Sequence, residues 1–165
     1  MRVFIIAAVT ADGFIARHTD HLSDWTSVED KKLFVALTKE AGVMVMGSRT
    51  FATIGRALPG RRTIVYTTHP ERITAAGVET SNEDPKVLIK RLEQEGATGL
   101  AVCGGGEIYS LFMSAGVIAE LYLTIEPILF GQGIPLFKKE LDSTLLLNEV
   151  RALNNHTMLL HYKVA

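Results

Sequence analysis

Short apolar runs alternate with helix-period segments from one end of this chain to the other. Runs with strand character cover Val3–Val9, Val43–Met46, Thr63–Thr67, Leu100–Cys103, Leu121–Ile125 and Met158–Val164. Their continuous apolarity fits strands covered on both faces, as in parallel sheets. Between them, Val28 to Ala41 places Leu33, Phe34, Leu37 and Ala41 on one helical face. Pro85 to Gly96 does the same, with Val87, Leu88 and Leu92 inward and Lys86, Lys90 and Arg91 outward. Asp84-Pro85 gives that helix its start, since proline suits the first turn. Two shorter helices begin near Ser48 and Gly106. The order predicts a single α/β domain over residues 1–165, three layers deep (α/β/α), around a mostly parallel sheet. The C-terminal third is richer in strand than helix, which predicts an antiparallel edge. Gly131-Gln132-Gly133-Ile134-Pro135 reads as a loop.

A chain of 165 residues is long enough to bury a real core, and 47 % apolar with 21 % charged residues is ordinary for a globular protein. The formal net charge of −1 gives no sign of a nucleic-acid or acidic-membrane partner. No apolar run approaches the length of a membrane span. Met1-Arg2 leads straight into a strand without the small-residue cleavage site of a signal peptide, so the expected location is cytoplasmic. Cys103 is the single cysteine, which excludes a disulfide within the chain and reads as a buried apolar residue at a strand end. His18, His21, His69, His156 and His161 have no metal-ligand spacing.

Four segments can carry chemistry. Val45 to Arg62 runs from a strand ending in Met46-Gly47, through a short helix from Ser48, to a Pro59-Gly60 turn. It holds Arg49, Arg56, Arg61 and Arg62 beside a helix start, which fits either an anion site or a solvated basic loop. Cys103-Gly104-Gly105-Gly106-Glu107-Ile108-Tyr109 follows a strand and opens a helix. Its glycines let backbone approach a pyrophosphate, or they form a plain tight turn; the spacing is neither a Rossmann fingerprint nor a Walker loop. Trp25 to Phe34 puts Asp30 in the first turn of the long helix with Phe34 on the same face. Ser27 followed by Asp30 also has the spacing of a capping box, in which the acid serves the helix start alone. Ile6 to Ala16 is a buried strand running into an Asp12-Gly13 turn.

Together these segments resemble dihydrofolate reductase. Met46-Gly47, Thr50-Phe51, Ile54-Gly55, Leu58-Pro59-Gly60-Arg61, Gly104-Gly105-Gly106 with Tyr109, and Trp25-Asp30-Phe34 keep that family's residues and spacing over roughly residues 3 to 124. The resemblance implies the family's fold and reduction of dihydrofolate with NADPH. It implies Asp30 as the acid, supported by Thr124, and a substrate pocket formed by Ala8, Asp30, Phe34, Ile54, Arg61 and Cys103. Arg61 would hold the substrate's glutamate carboxylate. It assigns the cofactor to Ala8, Ile15, Gly47, Ser48, Arg49, Thr50, Thr67, Thr68, Gly104, Gly105, Gly106, Glu107, Ile108 and Tyr109, with a cis peptide between Gly104 and Gly105. It makes the acid the only ionisable group of the pterin pocket, and it makes the loop from Ile15 towards Trp25 the cover of the nicotinamide.

The chain departs from that pattern in three places. Glu126 to Phe137, with Gly131-Gln132-Gly133-Ile134-Pro135, resembles instead the reductase domain of the riboflavin pathway, a relative of the same fold. Lys31 replaces a commonly apolar substrate contact, and Ser48 stands where an adenosine-phosphate arginine is often found. The alternative implied is NADPH-dependent reduction of a ribosylaminopyrimidine phosphate. A third reading is a pteridine- or nucleotide-binding protein without turnover. The partner in each is a small molecule. The Gly131–Phe137 segment would either edge a homodimer or fold back within a monomer.

Overall fold

The computed structural model describes all residues 1–165. Ten strands and four helices follow one another as β1 (Arg2–Thr10), β2 (Phe14–Ala16), α1 (Val28–Ala41), β3 (Val43–Gly47), α2 (Ser48–Ile54), β4 (Arg62–Tyr66), β5 (Val78–Ser81), α3 (Pro85–Gln94), β6 (Gly99–Val102), α4 (Gly106–Ser114), β7 (Glu120–Glu126), β8 (Ile134–Pro135), β9 (Leu145–Ala152) and β10 (Met158–Val164). Eight strands form one sheet in the order β5-β4-β3-β6-β1-β7-β10-β9. Neighbours from β5 to β7 are parallel, while β10 runs antiparallel to both β7 and β9.

β1 shows why the sheet takes this form. Val3, Ile5 and Ala7 enter one apolar cluster with Leu88 and Leu92 of α3 and Ile108 and Phe112 of α4. Phe4 and Ile6 enter a second cluster with Leu37 and Ala41 of α1 and Phe51 of α2. A strand that must satisfy two cores is apolar at every position and belongs in the middle of a three-layer stack. Each parallel strand from β5 to β7 then carries its C-terminal end to the same edge of the sheet. β6 inserts between β3 and β1, so the turns leaving these three strands open around a common gap, the usual place for a ligand in such sheets.

The structure corrects the sequence reading at several points. Val87 is 55 % exposed, because the buried stripe of α3 is Pro85, Leu88 and Leu92 and leaves no room for a residue one step round the helix. Arg91 is not free on the outer face; it pairs with Glu79, Glu83 and Glu95. β5 and β9 are additional strands. The Gly131–Pro135 loop contains β8, which pairs with β2 and so folds back within the chain. No helix is long and apolar enough to cross a membrane.

Candidate active site

A cavity of about 810 Å³ opens at the C-terminal ends of β1, β3 and β6. It gathers Ala8, Ile15, Asp30, Phe34, Gly47, Ser48, Arg49, Thr50, Ile54, Arg61, Cys103, Gly104, Gly105, Gly106, Glu107, Ile108 and Tyr109. Three sequence-predicted residues are outside its lining. Thr124 is fully buried behind Ala8, its partner in the β1–β7 ladder. Thr67 and Thr68 follow β4, where the Thr67 hydroxyl accepts from the His69 N–H instead.

Asp30 enters from the first turn of α1. Ser27 caps that helix, its Oγ accepting from the Asp30 N–H at 3.1 Å. This is half of a capping box; the Asp30 carboxyl does not return the bond. The residue is 8 % exposed and lines the cavity. Burial raises its pKa above the ordinary value. The hydroxyls of Thr124 and Thr26 pull the other way, Glu126 adds to the rise, and Lys31 opposes it. Thr124 Oγ1 has no partner within hydrogen-bond distance, so its pull is that of a nearby dipole and burial prevails. Glu107 is the cavity's other carboxylate, but it is exposed at the mouth and paired with Lys138 at 3.3 Å.

Asp30 is not alone among ionisable groups here, as the resemblance had implied. Lys31 shares the wall, with Nζ donating to the Thr26 carbonyl at 2.7 Å and the Thr26 hydroxyl at 3.0 Å. Arg61 contributes a guanidinium whose Nε and Nη1 are buried without partners. Burial lowers its pKa and Cys103 opposes, yet a guanidinium stays charged in proteins. The other clustered arginines divide: Arg49 lines the cavity, Arg62 is held by Glu79 and Glu95, and Arg56 is exposed. Burial pushes the Cys103 thiol well up, so it is an apolar wall and not a nucleophile.

The opposite end is built from glycine. The Gly104–Gly105 peptide is cis, as the resemblance implied, and Gly104 takes φ 110°, a conformation side chains resist. A Cβ there would sit 3.1 Å from the Tyr109 hydroxyl, which donates to the Ile6 carbonyl at 2.8 Å and anchors α4 to β1. The Gly104 carbonyl accepts from the Gly47 N–H at 2.8 Å, so the turns after β3 and β6 are stitched together. A Cβ on Gly47 would meet Ile108 at 3.1 Å, and one on Gly105 would meet the Thr50 hydroxyl at 3.3 Å. The result is bare backbone beside two helix starts, which is the surface a phosphate chain needs.

The cover has parts that sequence reasoning missed. His18, Thr19 and His21 line the cavity between Ile15 and Trp25. Phe130 holds them from beyond β7: Trp25 and His21 lie edge-on to its ring at 5.2 and 5.5 Å, and the Arg17 guanidinium sits 4.1 Å above it. Asp12 fixes the loop of Phe130 by accepting from the N–H groups of Phe130 and Gly131. Lys138 also reaches the lining. Nothing in local sequence marks these contacts, since they join positions about a hundred residues apart.

A family model described as dihydrofolate reductase matches residues 2–127. That span takes in all four helices and every strand of the parallel part of the sheet. The chain is 36 % identical to dihydrofolate reductase type 3 of Salmonella typhimurium over 124 residues, which is 75 % of this chain and 71 % of that one. Its fold is similar to the crystal structure of a putative riboflavin biosynthesis protein from Shewanella sp. PV-4, with TM-score 0.78 and 20 % identity over 100 % of this chain and 99 % of that one. It is likewise similar to dihydrofolate reductase from Enterococcus faecalis complexed with NADP(H) and RAB-propyl, with TM-score 0.72 and 24 % identity over 99 % and 96 %. Sheet, cavity and sequence matches thus place the protein among the α/β oxidoreductases. Within them, the chain belongs to the dihydrofolate reductase family.

Proposed function

We propose that this protein reduces 7,8-dihydrofolate to tetrahydrofolate, with NADPH as hydride donor. The observation that carries the reading is Asp30: one buried carboxyl, its pKa raised by burial, in the wall of a cavity whose other end is a glycine-lined cradle. The cradle fits a dinucleotide on its own chemistry. It offers backbone amides at the starts of α2 and α4, the Arg49 cation, and no Cβ between Gly104 and Gly106. Bound there, the nicotinamide would supply the hydride that no side chain can.

The chain's own residues do the rest. Ala8, Phe34 and Ile54 form an apolar slot for a flat ring and keep water from it. Asp30 holds a proton to higher pH than an exposed aspartate and makes it available at the ring nitrogen that must be protonated. Arg61 puts a permanent cation in the wall, and its Nη2, unlike the buried Nε and Nη1, is open to a substrate carboxylate. Trp25 and the His18–His21 segment cover the site, with Phe130 behind them.

A second reading, reduction of a ribosylaminopyrimidine phosphate, has one specific observation in its favour. Lys31 puts a cation in the wall next to Asp30, where a phosphate-tailed substrate would gain from it. Following NADPH oxidation with each substrate in turn separates the readings. Oxidation with dihydrofolate alone supports the first. Oxidation with the pyrimidine alone supports the second. Binding of both with no oxidation would refute catalysis altogether.

A further inference from the structure

Glu126 ends β7 and is only 3 % exposed. Its Oε1 accepts from the Ser27 backbone N–H and from Ser27 Oγ, both at 2.8 Å, and its Oε2 accepts from Thr157 Oγ1 at 3.1 Å. A hydroxyl has one proton and two lone pairs. Ser27 gives its proton to Glu126 and a lone pair to the Asp30 N–H, so the three residues form one chain of bonds. In an ordinary capping box the N-cap N–H is satisfied by the acid three residues on. Here that acid is Asp30, and its carboxyl lines the cavity instead. Glu126, reaching across from the sheet, accepts the bond in its place.

We propose that Glu126 is a positioning residue for Asp30: it relieves the Asp30 carboxyl of capping α1 and thereby holds it in the cavity. The proposal rests on the reading of Asp30 as the acid only for its kinetic consequence. Two effects follow from the arrangement. The start of α1 is clamped between β7 and Thr157 at the foot of β10, so the carboxyl has a fixed origin. The charge of Glu126 also disfavours ionisation of Asp30, adding to burial. The other groups facing Asp30 are Lys31 and Thr26 at the start of α1, Thr124 of β7, and Tyr109 of α4, whose hydroxyl feels the Asp30 charge. Of these, Lys31 is the cation, and it opposes Glu126.

Glu126→Gln keeps the shape and an acceptor for Ser27 while removing the charge. Glu126→Met keeps the length and removes both, so that Asp30 must turn back to cap Ser27. The Asp30 carboxyl is read directly by carbon-13 NMR of labelled aspartate, assigned with Asp30→Asn, alongside the pH profile of kcat and a thermal melt. Glu126→Gln is expected to lower the Asp30 midpoint through the lost charge alone. Glu126→Met is expected to lower it further, because the carboxyl there returns to the helix start, and the alkaline limb of kcat is expected to move with each. A folded Glu126→Met variant in which Asp30 titrates as in Glu126→Gln overturns the proposal, even if turnover falls. A further shift in Glu126→Met, with Asp30→Asn still active, upholds the positioning and refutes Asp30 as the acid.

Discussion

Replacing Arg61 by leucine tests the substrate end of the cavity in two opposite directions. The parent guanidinium carries Nε and Nη1 buried and unpaired. An orphaned buried donor costs about 1–3 kcal/mol. Leucine removes the donors and leaves an apolar side chain in a cavity lining that already includes Leu58 and Ile54, so the fold gains about 1 kcal/mol even at the lower bound. For a chain of this size that raises the thermal midpoint by about 2–4 °C. Binding moves the other way. One charge-assisted hydrogen bond from the open Nη2 to a carboxylate is worth about 1.5–3 kcal/mol. At the low value, its loss raises KM for dihydrofolate about tenfold, at 1.4 kcal/mol per factor of ten. An analogue truncated at the aminobenzoyl group cannot use Arg61, so its KM should be the same in parent and variant. Steady-state kinetics with both substrates and a calorimetric melt check this. A variant that loses affinity equally for both would refute the assignment of Arg61 to the carboxylate.

Gly99→Ala places a Cβ 2.9 Å from Ala41 Cα, a backbone atom that cannot swing aside; a melt should show about 1–3 kcal/mol lost while kcat of the folded enzyme is unchanged. Lys138→Ala leaves the Glu107 carboxylate unopposed at the start of α4; because that pair is exposed, KM for NADPH should rise only about threefold to fivefold, and more at low salt. Asp30→Asn should stabilise the fold in a pH-dependent way. With the folded pKa raised, ionisation in the unfolded chain begins first, so the parent loses stability as pH rises from about 3.8 towards the folded value. The advantage of asparagine in denaturant titrations is therefore absent at acid pH and full at neutral pH; an equal advantage at both would contradict the raised pKa.

The parallel sheet was legible because its strands are buried on both faces and its helices on one. Val28–Ala41 and Met158–Val164 carry the same bounds in sequence and structure. β5 and β9 were not legible for the converse reason. Val78-Glu79-Thr80-Ser81 has one apolar residue, and β9 leaves Leu146, Leu147 and Val150 exposed. These edge strands exist through ladder bonds to β4 and β10, which leave no pattern of burial to read. In the site, the residues found in advance sit in dense motifs: the Gly104–Gly106 turn, the Trp25–Phe34 helix start and the segment ending at Arg61. Asp30 was ambiguous between cap and acid, because spacing alone cannot show that Glu126, ninety-six positions later, accepts the capping bond. Phe130, Asp12 and Lys138 were invisible for the same reason.

Turnover by Asp30→Asn, measured with NADPH and dihydrofolate from acid to alkaline pH, tests the central claim most directly. A positioned general acid contributes about 10²–10⁴-fold to rate. The variant should lose that much in kcat at neutral pH, and regain part of it as solvent protons become abundant at low pH. An asparagine enzyme that turns over at neutral pH within a few-fold of the parent would contradict the account.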